Sequence, residues 1–309
     1  MRPIRITVVD ENERPLRGAV VYFSMNGKPF GDQTVDVTGR ATLLLEAGPE
    51  VVSVRVDYAG VTDSIELAGN EHTFQLERPK KHLVILIHGI NTEALWFTTL
   101  QPVLRKYGLE TAPAGYGMFG VLTFLAPVSA WRRAAIDTVR RKINAAIDDQ
   151  KPDLVSVITH SFGTYVFAHI LKEELGLRWH RVILCGSVVP NDFPFDQAAR
   201  GRVTTPIMNE VGTHDLWPAM AQSITWGYGS IGSFGYQGKP LQERYHKGAA
   251  HSDFLTPEFC ERFWVPFLTE GVEVPGDAIA RLPWYMRFLA RVSLKYCIIV
   301  AILAGLYFY

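Results

Sequence analysis

The sequence predicts a doubly wound, mostly parallel α/β sheet, preceded by a small all-β sandwich and followed by a hydrophobic C-terminal helix. Three changes of texture carry this expectation. Up to about residue 77, short alternating runs are separated by turn signals; from His82, continuous apolar strands alternate with helical segments; residues 296–309, YCIIVAILAGLYFY, are apolar without interruption. The regions expected are a sandwich over 1–77, an α/β domain over 82–275 and a tail helix over 282–309.

In the first region IRITVVD, GAVVYFSM, ATLLLEAG, VVSVRVDY, DSIELA and HTFQLE each alternate apolar and polar positions, the period of a half-buried strand. NERPLRG, NGKP, VTGR and EAGPE punctuate them as turns. Short strands at this spacing, with no helical period, predict a small antiparallel sandwich. Its only histidine is His72 and its carboxylates fall in turns, so a structural or docking role is expected, for a partner the sequence does not name. LERPKKHL, residues 76–83, reads as a linker.

HLVILIHG then reads as a strand covered on both faces, as in a parallel sheet. ALWFTTLQPVLRKYG has helical spacing, LETAPAGYG holds a strand, and WRRAAIDTVRRKINAAIDDQ is an amphipathic helix. DLVSVIT, the helix from FGTYVFAHILKEELG, RVILCGS and PIMNEVG complete the strand–helix alternation of a doubly wound sheet.

Lysine plus arginine equals aspartate plus glutamate, 31 each among 309 residues, which removes the basic surplus a nucleic-acid binder needs. Cys185, Cys260 and Cys297 have neither metal-ligand nor disulfide spacing, favouring a reducing compartment. No metal and no cofactor are expected. The N-terminus holds no apolar stretch of secretory type. In the tail, Arg287, Arg291 and Lys295 fall at i, i+4 and i+8 among Trp284, Tyr285, Phe288 and Leu289, the pattern of an interfacial segment leading into an anchor. The chain is therefore expected to be membrane-associated with its α/β domain facing the cytosol; the alternative is a cytoplasmic protein with the tail packed on the domain or in a dimer.

The chemistry centres on DLVSVITHSFGTYVFAHIL, residues 153–171, a strand, one polar turn and a helix with Ser161 at the tip. A serine becomes a nucleophile only with a base for its proton and donors for the oxyanion. A tight strand-to-helix turn needs small residues two before and two after the serine; here they are Thr159 and Gly163. Thr159 stands where glycine is usual, and its side chain is expected to tuck away from the strand that follows.

VILIHGIN, residues 84–91, with this turn and with PIMNEVGTHDLWPAM and YHKGAAHSDFLTPEF downstream, resembles the α/β-hydrolase superfamily, in its serine esterase and lipase-like branch, over roughly residues 82–270. The resemblance implies an α/β-hydrolase fold and a triad in the chain order Ser161, Asp215, His251. It implies an oxyanion hole from the backbone of Ile90 and Phe162, with His88, Gly89, His160 and Gly163 shaping the elbow and loop. Asp192 is the alternative acid, His214 and His246 the alternatives to His251, and Asp253 a local loop former. Cys185 reads as a small core hydrophobe. Two aromatic, glycine-bearing segments, 112–131 and 224–240, are candidates to shape an acyl pocket, the second as a mobile lid. VVDENERPLRGAVVYF and DVTGRATLLLEAG are similar to carboxypeptidase-regulatory-like, transthyretin-like domains. The implied activity is cleavage of carboxylic esters, lipids among them, through an acyl-enzyme. The alternatives are a non-catalytic, membrane-tethered scaffold with a hydrolase fold, or a lipid-degrading effector.

Overall fold

The computed structural model describes all residues except 1, 47–50, 79, 90–95, 117–127, 237, 239, 279–282 and 309. The chain divides into two compact units, Met1–Lys80 and Lys81–Tyr309.

The first unit holds two sheets. β1 (Arg2–Val9) lies between β4 (Arg40–Leu45) and β7 (Glu71–Gln75); β2 (Val20–Met25), β3 (Lys28–Thr34), β5 (Val52–Tyr58) and β6 (Val61–Leu67) form the other, in the order β3-β2-β5-β6. Alternate residues from both sheets, Ile4, Ile6 and Val8 with Val21, Phe23, Val54 and Val56, fill one buried core. The pairing is not wholly antiparallel: β7 runs parallel to β1. It reaches β1 after the chain has crossed from the other sheet, so no hairpin dictates its direction. Asp10 and Asp36 build turns, each accepting backbone N–H bonds, Asp10 from Asn12 and Arg14 and Asp36 from Thr38 and Arg40.

In the second unit β8 (His82–Ile87), β9 (Leu109–Pro113), β10 (Leu154–His160), β11 (Val182–Cys185), β12 (Ile207–Gly212) and β13 (Leu241–His246) make one sheet, ordered β13-β12-β11-β10-β8-β9. Every pairing is parallel. Strand alternation splits the core in two. Leu83, Ile85 and Ile87 cluster with residues of α2 (Ser129–Gln150), α3 (Phe162–Glu173) and α4 (Phe195–Ala199), while Val84 and Leu86 cluster with residues of α1 (Gln101–Lys106), α7 (Pro257–Phe259), Cys260–Trp264 and α8 (Val265–Glu270). Both faces of the sheet are covered, which is why its strands read as continuous apolar runs.

β13 was not anticipated. Its sequence, LQERYH, carries charges that look like surface, yet Arg244 and His246 are buried. The tail also departs from expectation. α9 (Trp284–Arg291) and α10 (Leu294–Phe308) are separated by Val292 in extended conformation, φ −84° and ψ 117°. The 15 residues of α10 span about 22 Å, against a hydrocarbon core of about 30 Å. Among the described residues no helix is long and apolar enough to cross a membrane.

Candidate active site

The chain leaves β8 toward β9 on one side and returns to β10 on the other, so the sheet order reverses between β8 and β10, whose carboxyl ends flank the crevice where open α/β sheets bind ligands. Ser161 follows β10 there and Gly89 lies beyond the end of β8. A Cβ placed on Gly89 would sit 2.8 Å from Ser161 Cβ and 3.4 Å from its Oγ, so the Gly89 backbone lies against the serine.

Ser161 has φ 54° and ψ −126°, a sparsely populated conformation for any residue with a Cβ. Its own backbone holds it there: Ser161 N donates to Cys185 O at 3.1 Å, and Ser161 O accepts from Thr164 N at 3.0 Å and Thr164 Oγ1 at 2.6 Å. Gly163 lets α3 press on the end of β8, since a Cβ there would come within 2.4 Å of Ile87 O. Thr159 does not turn away from the following strand. Its Oγ1 donates to Ile183 O in β11 at 3.2 Å, which gives a fully buried hydroxyl its acceptor, and the elbow forms all the same.

Asp215 is completely buried and caps α5 (Leu216–Ile224), Oδ1 accepting from Trp217 N at 3.1 Å. Both its carboxylate oxygens face His251 Nδ1, at 3.0 and 2.9 Å, with the His251 side chain 14% exposed. The carboxylate can only accept, so Nδ1 is the donor of this bond. The loops bearing the two groups are cross-tied: Thr213 N donates to His246 O, His214 N to Ala249 O and Gly248 N to Thr213 Oγ1. Asp253 shapes the base loop, accepting from Ala250 N at 2.8 Å.

Beneath these loops lies a buried network. Glu210 accepts from Arg244 Nε at 2.9 Å, His246 Nε2 at 2.7 Å and Trp264 Nε1 at 3.0 Å. Burial alone would raise its pKa, but the bonds from His246 and Arg244 outweigh it and hold the carboxyl below its ordinary range. The network locks β12 to β13, and with them the loops leading to Asp215 and His251.

His160 and Gly186 join the serine's strand to the base. His160 Nε2 donates to His251 O at 2.8 Å and the two rings lie 4.5 Å apart. Burial, and then the neighbouring His251, push the His160 pKa well down. Gly186, at φ 54°, packs so closely that an added Cβ would stand 2.8 Å from His251 Cε1 and Nδ1 and 3.2 Å from Asp215 Oδ2. The contact of Gly186 with the pair was not foreseen; only its place after a predicted strand hinted at it. Ser161 and the His251–Asp215 pair thus converge on one end of the sheet. Among the described residues no hydrogen bond closes between Ser161 Oγ and His251 Nε2, a looseness common before substrate binds.

The remaining expected residues fall as follows. Ile90 lies outside the described residues. Phe162 heads α3, where backbone N–H groups have no intrahelical acceptor. His88 is buried, its Nδ1 2.6 Å from Gly89 O. Asp192 is exposed and borders a cavity of about 350 Å³ with Tyr165 and His169, whereas His251 pairs with Asp215. His246 is committed to Glu210 and His214 is exposed. Cys185 is buried; its thiol pKa is pushed well up by burial and by Glu210 and Asp215.

The described residues of 224–240 pack into the unit in place of the mobile lid expected of them. Tyr228 is buried with the Arg132 guanidinium 4.2 Å over its ring. Cβ atoms on Gly229 and Gly232 would come within 2.4 Å of Pro190 Cα and 2.1 Å of Ser187 N. These glycines allow tight packing against the end of β11, with α6 (Ile231–Phe234) seated there. Most of 112–131, the other pocket candidate, lies outside the described residues. Among the described residues no group of three or more His, Cys, Asp or Glu is placed to hold a metal ion.

No family model matches the sequence, and no curated protein matches it. Among solved structures, an alpha-beta serine hydrolase homologue from Coxiella burnetii is 14% identical, with 74% of this chain and 96% of that one covered at a TM-score of 0.40. A carbohydrate acetylesterase from Xanthomonas citri is 11% identical, covering 93% of this chain and 72% of that one at a TM-score of 0.20. Likenesses this loose decide neither the fold nor the activity.

Proposed function

We propose that the chain is a serine hydrolase of carboxylic esters, with Ser161 as nucleophile, His251 as general base and Asp215 as the acid that orients it. The observation that carries this reading is the convergence of a strained strand-to-helix serine, φ 54°, with a histidine held by a buried carboxylate at 2.9 Å, at the switch point of a parallel sheet. His251 Nε2 takes the Ser161 proton as Oγ attacks the ester carbonyl, and Asp215 steadies the resulting imidazolium. The backbone N–H of Phe162, with one from the loop after β8, receives the oxyanion. His251 returns the proton to the leaving alcohol, and water then releases the acid from the acyl-enzyme by the same steps.

A fluorophosphonate probe tests this directly. The wild-type chain is expected to be labelled and Ser161→Ala not. A folded wild type that stays unlabelled would instead support the non-catalytic scaffold. Rates on p-nitrophenyl esters of increasing chain length, with Ser161→Ala as the blank, then separate short-chain esterases from lipases.

A further inference from the structure

The C-terminal helix pair has one face built into the second unit and another whose described side chains stand exposed. On the inner side Met286 is completely buried, and the break between α9 and α10 is a made joint: Ser223 Oγ donates to Val292 O and accepts from Leu294 N at 3.2 Å. Lys295 Nζ donates to Gln222 O and Thr225 O and lies 5.6 Å from the Trp226 ring. On the outer side Trp284 is 76% exposed, Phe288 59%, Val300 65% and Leu303 60%. Large apolar side chains left to water at this density mark an interaction surface.

Charge and length identify what it meets. Residues 278–309 carry four basic side chains and no acidic one, whereas the rest of the chain carries 27 basic and 31 acidic side chains. A second copy packed face to face would set this basic stripe against itself. An anionic surface is complementary to it. Tryptophan and phenylalanine beside arginines, on helices too short to span, are the components of a segment lying in the bilayer interface. We propose that α9 and α10 dock the protein flat on an anionic phospholipid bilayer, inserted at headgroup depth and not crossing it.

Full-length Ser161→Ala protein tests this by flotation with vesicles of phosphatidylcholine, alone or mixed with phosphatidylglycerol, so that binding is read without turnover and the fate of the hydrolase reading does not bear on the result. Binding is expected to the mixed vesicles and to weaken with added salt. Arg287→Gln/Arg291→Gln should lower the partition coefficient about 30-fold, roughly five-fold for each basic residue near the surface. Trp284→Ser/Phe288→Ser, both at exposed positions, should release it as well. Absence of binding, equal binding to both vesicles, or a dimer without lipid that these substitutions dissociate would overturn the proposal.

Discussion

Gly186→Ala offers a test of how closely the proposed base is held. The added methyl would stand 2.8 Å from His251 Cε1 and Nδ1, whereas carbon contacts settle at about 3.5–4.0 Å, so the imidazole must retreat by about 0.7–1.2 Å. Such a shift stretches the 2.9 Å bond to Asp215 and misaims Nε2. A displacement of about 1 Å in a reacting group costs on the order of 10²-fold in rate. The substitution also places a Cβ at φ 54°, a cost of about 1–2 kcal/mol shared by any residue forced into left-handed backbone. Gly248 separates the two effects: it has φ 81° and no atom within 4 Å of its would-be Cβ. Urea unfolding should show both variants destabilised, Gly248→Ala by the backbone cost alone and Gly186→Ala by that cost plus the crowding. Fluorophosphonate labelling and ester hydrolysis should fall 10- to 100-fold in Gly186→Ala alone. Wild-type rates in Gly186→Ala, or equal losses in the two variants, would refute the reasoning.

Two further predictions concern the frame. Glu210→Gln leaves the Arg244 cation buried without its carboxylate and should cost about 3–5 kcal/mol of stability in urea unfolding; a loss below about 1 kcal/mol would mean the network is not held by charge. His82, whose Nε2 lies 2.7 Å from Ser156 Oγ, has a pKa pushed down to about 4, chiefly by burial and then by His180 and Arg181. Above the ordinary histidine value both folded and unfolded states are neutral there and nothing is lost. As pH falls from 6.5 toward 4 the unfolded chain takes up a proton that the folded chain refuses, and stability should drop by up to about 3 kcal/mol. His82→Gln should flatten that part of the pH–stability curve, and an unchanged slope would exclude His82 as its source.

Much of this architecture is legible in the sequence because its physics is local. VILI and VSVIT carry apolar residues on both faces, and a strand with two covered faces has few other ways to fold. Ser161 and Asp215 stand in turns after strands the sequence predicts, where a parallel sheet gathers them at one end; the strand that brings His251 there, β13, is the one it does not. What was misread depends on partners distant in sequence. LQERYH gives no strand signal because nothing in it announces that Arg244 meets Glu210, 34 residues earlier. The glycines of 224–240 suggested mobility, though Gly229 and Gly232 serve close backbone contact. Thr159 was expected to turn from the next strand, and the need of a buried hydroxyl for an acceptor turned it the other way. The tail's apolar run promised one long helix, and the joint at Val292 made with Ser223 divides it.

The network around Glu210 also limits how this chain can vary. Its carboxylate answers donors from β13 and from the helical run near the end of the unit, so three segments far apart in sequence share one charge balance. Exchanging any one member strands a buried charge or donor, while exchanging all of them for apolar side chains of matching volume does not. Drift at these positions is therefore expected in concerted sets. A designer moving the Asp215 and His251 loops to another parallel sheet would have to carry β12, β13 and Trp264 together, as one transplantable part.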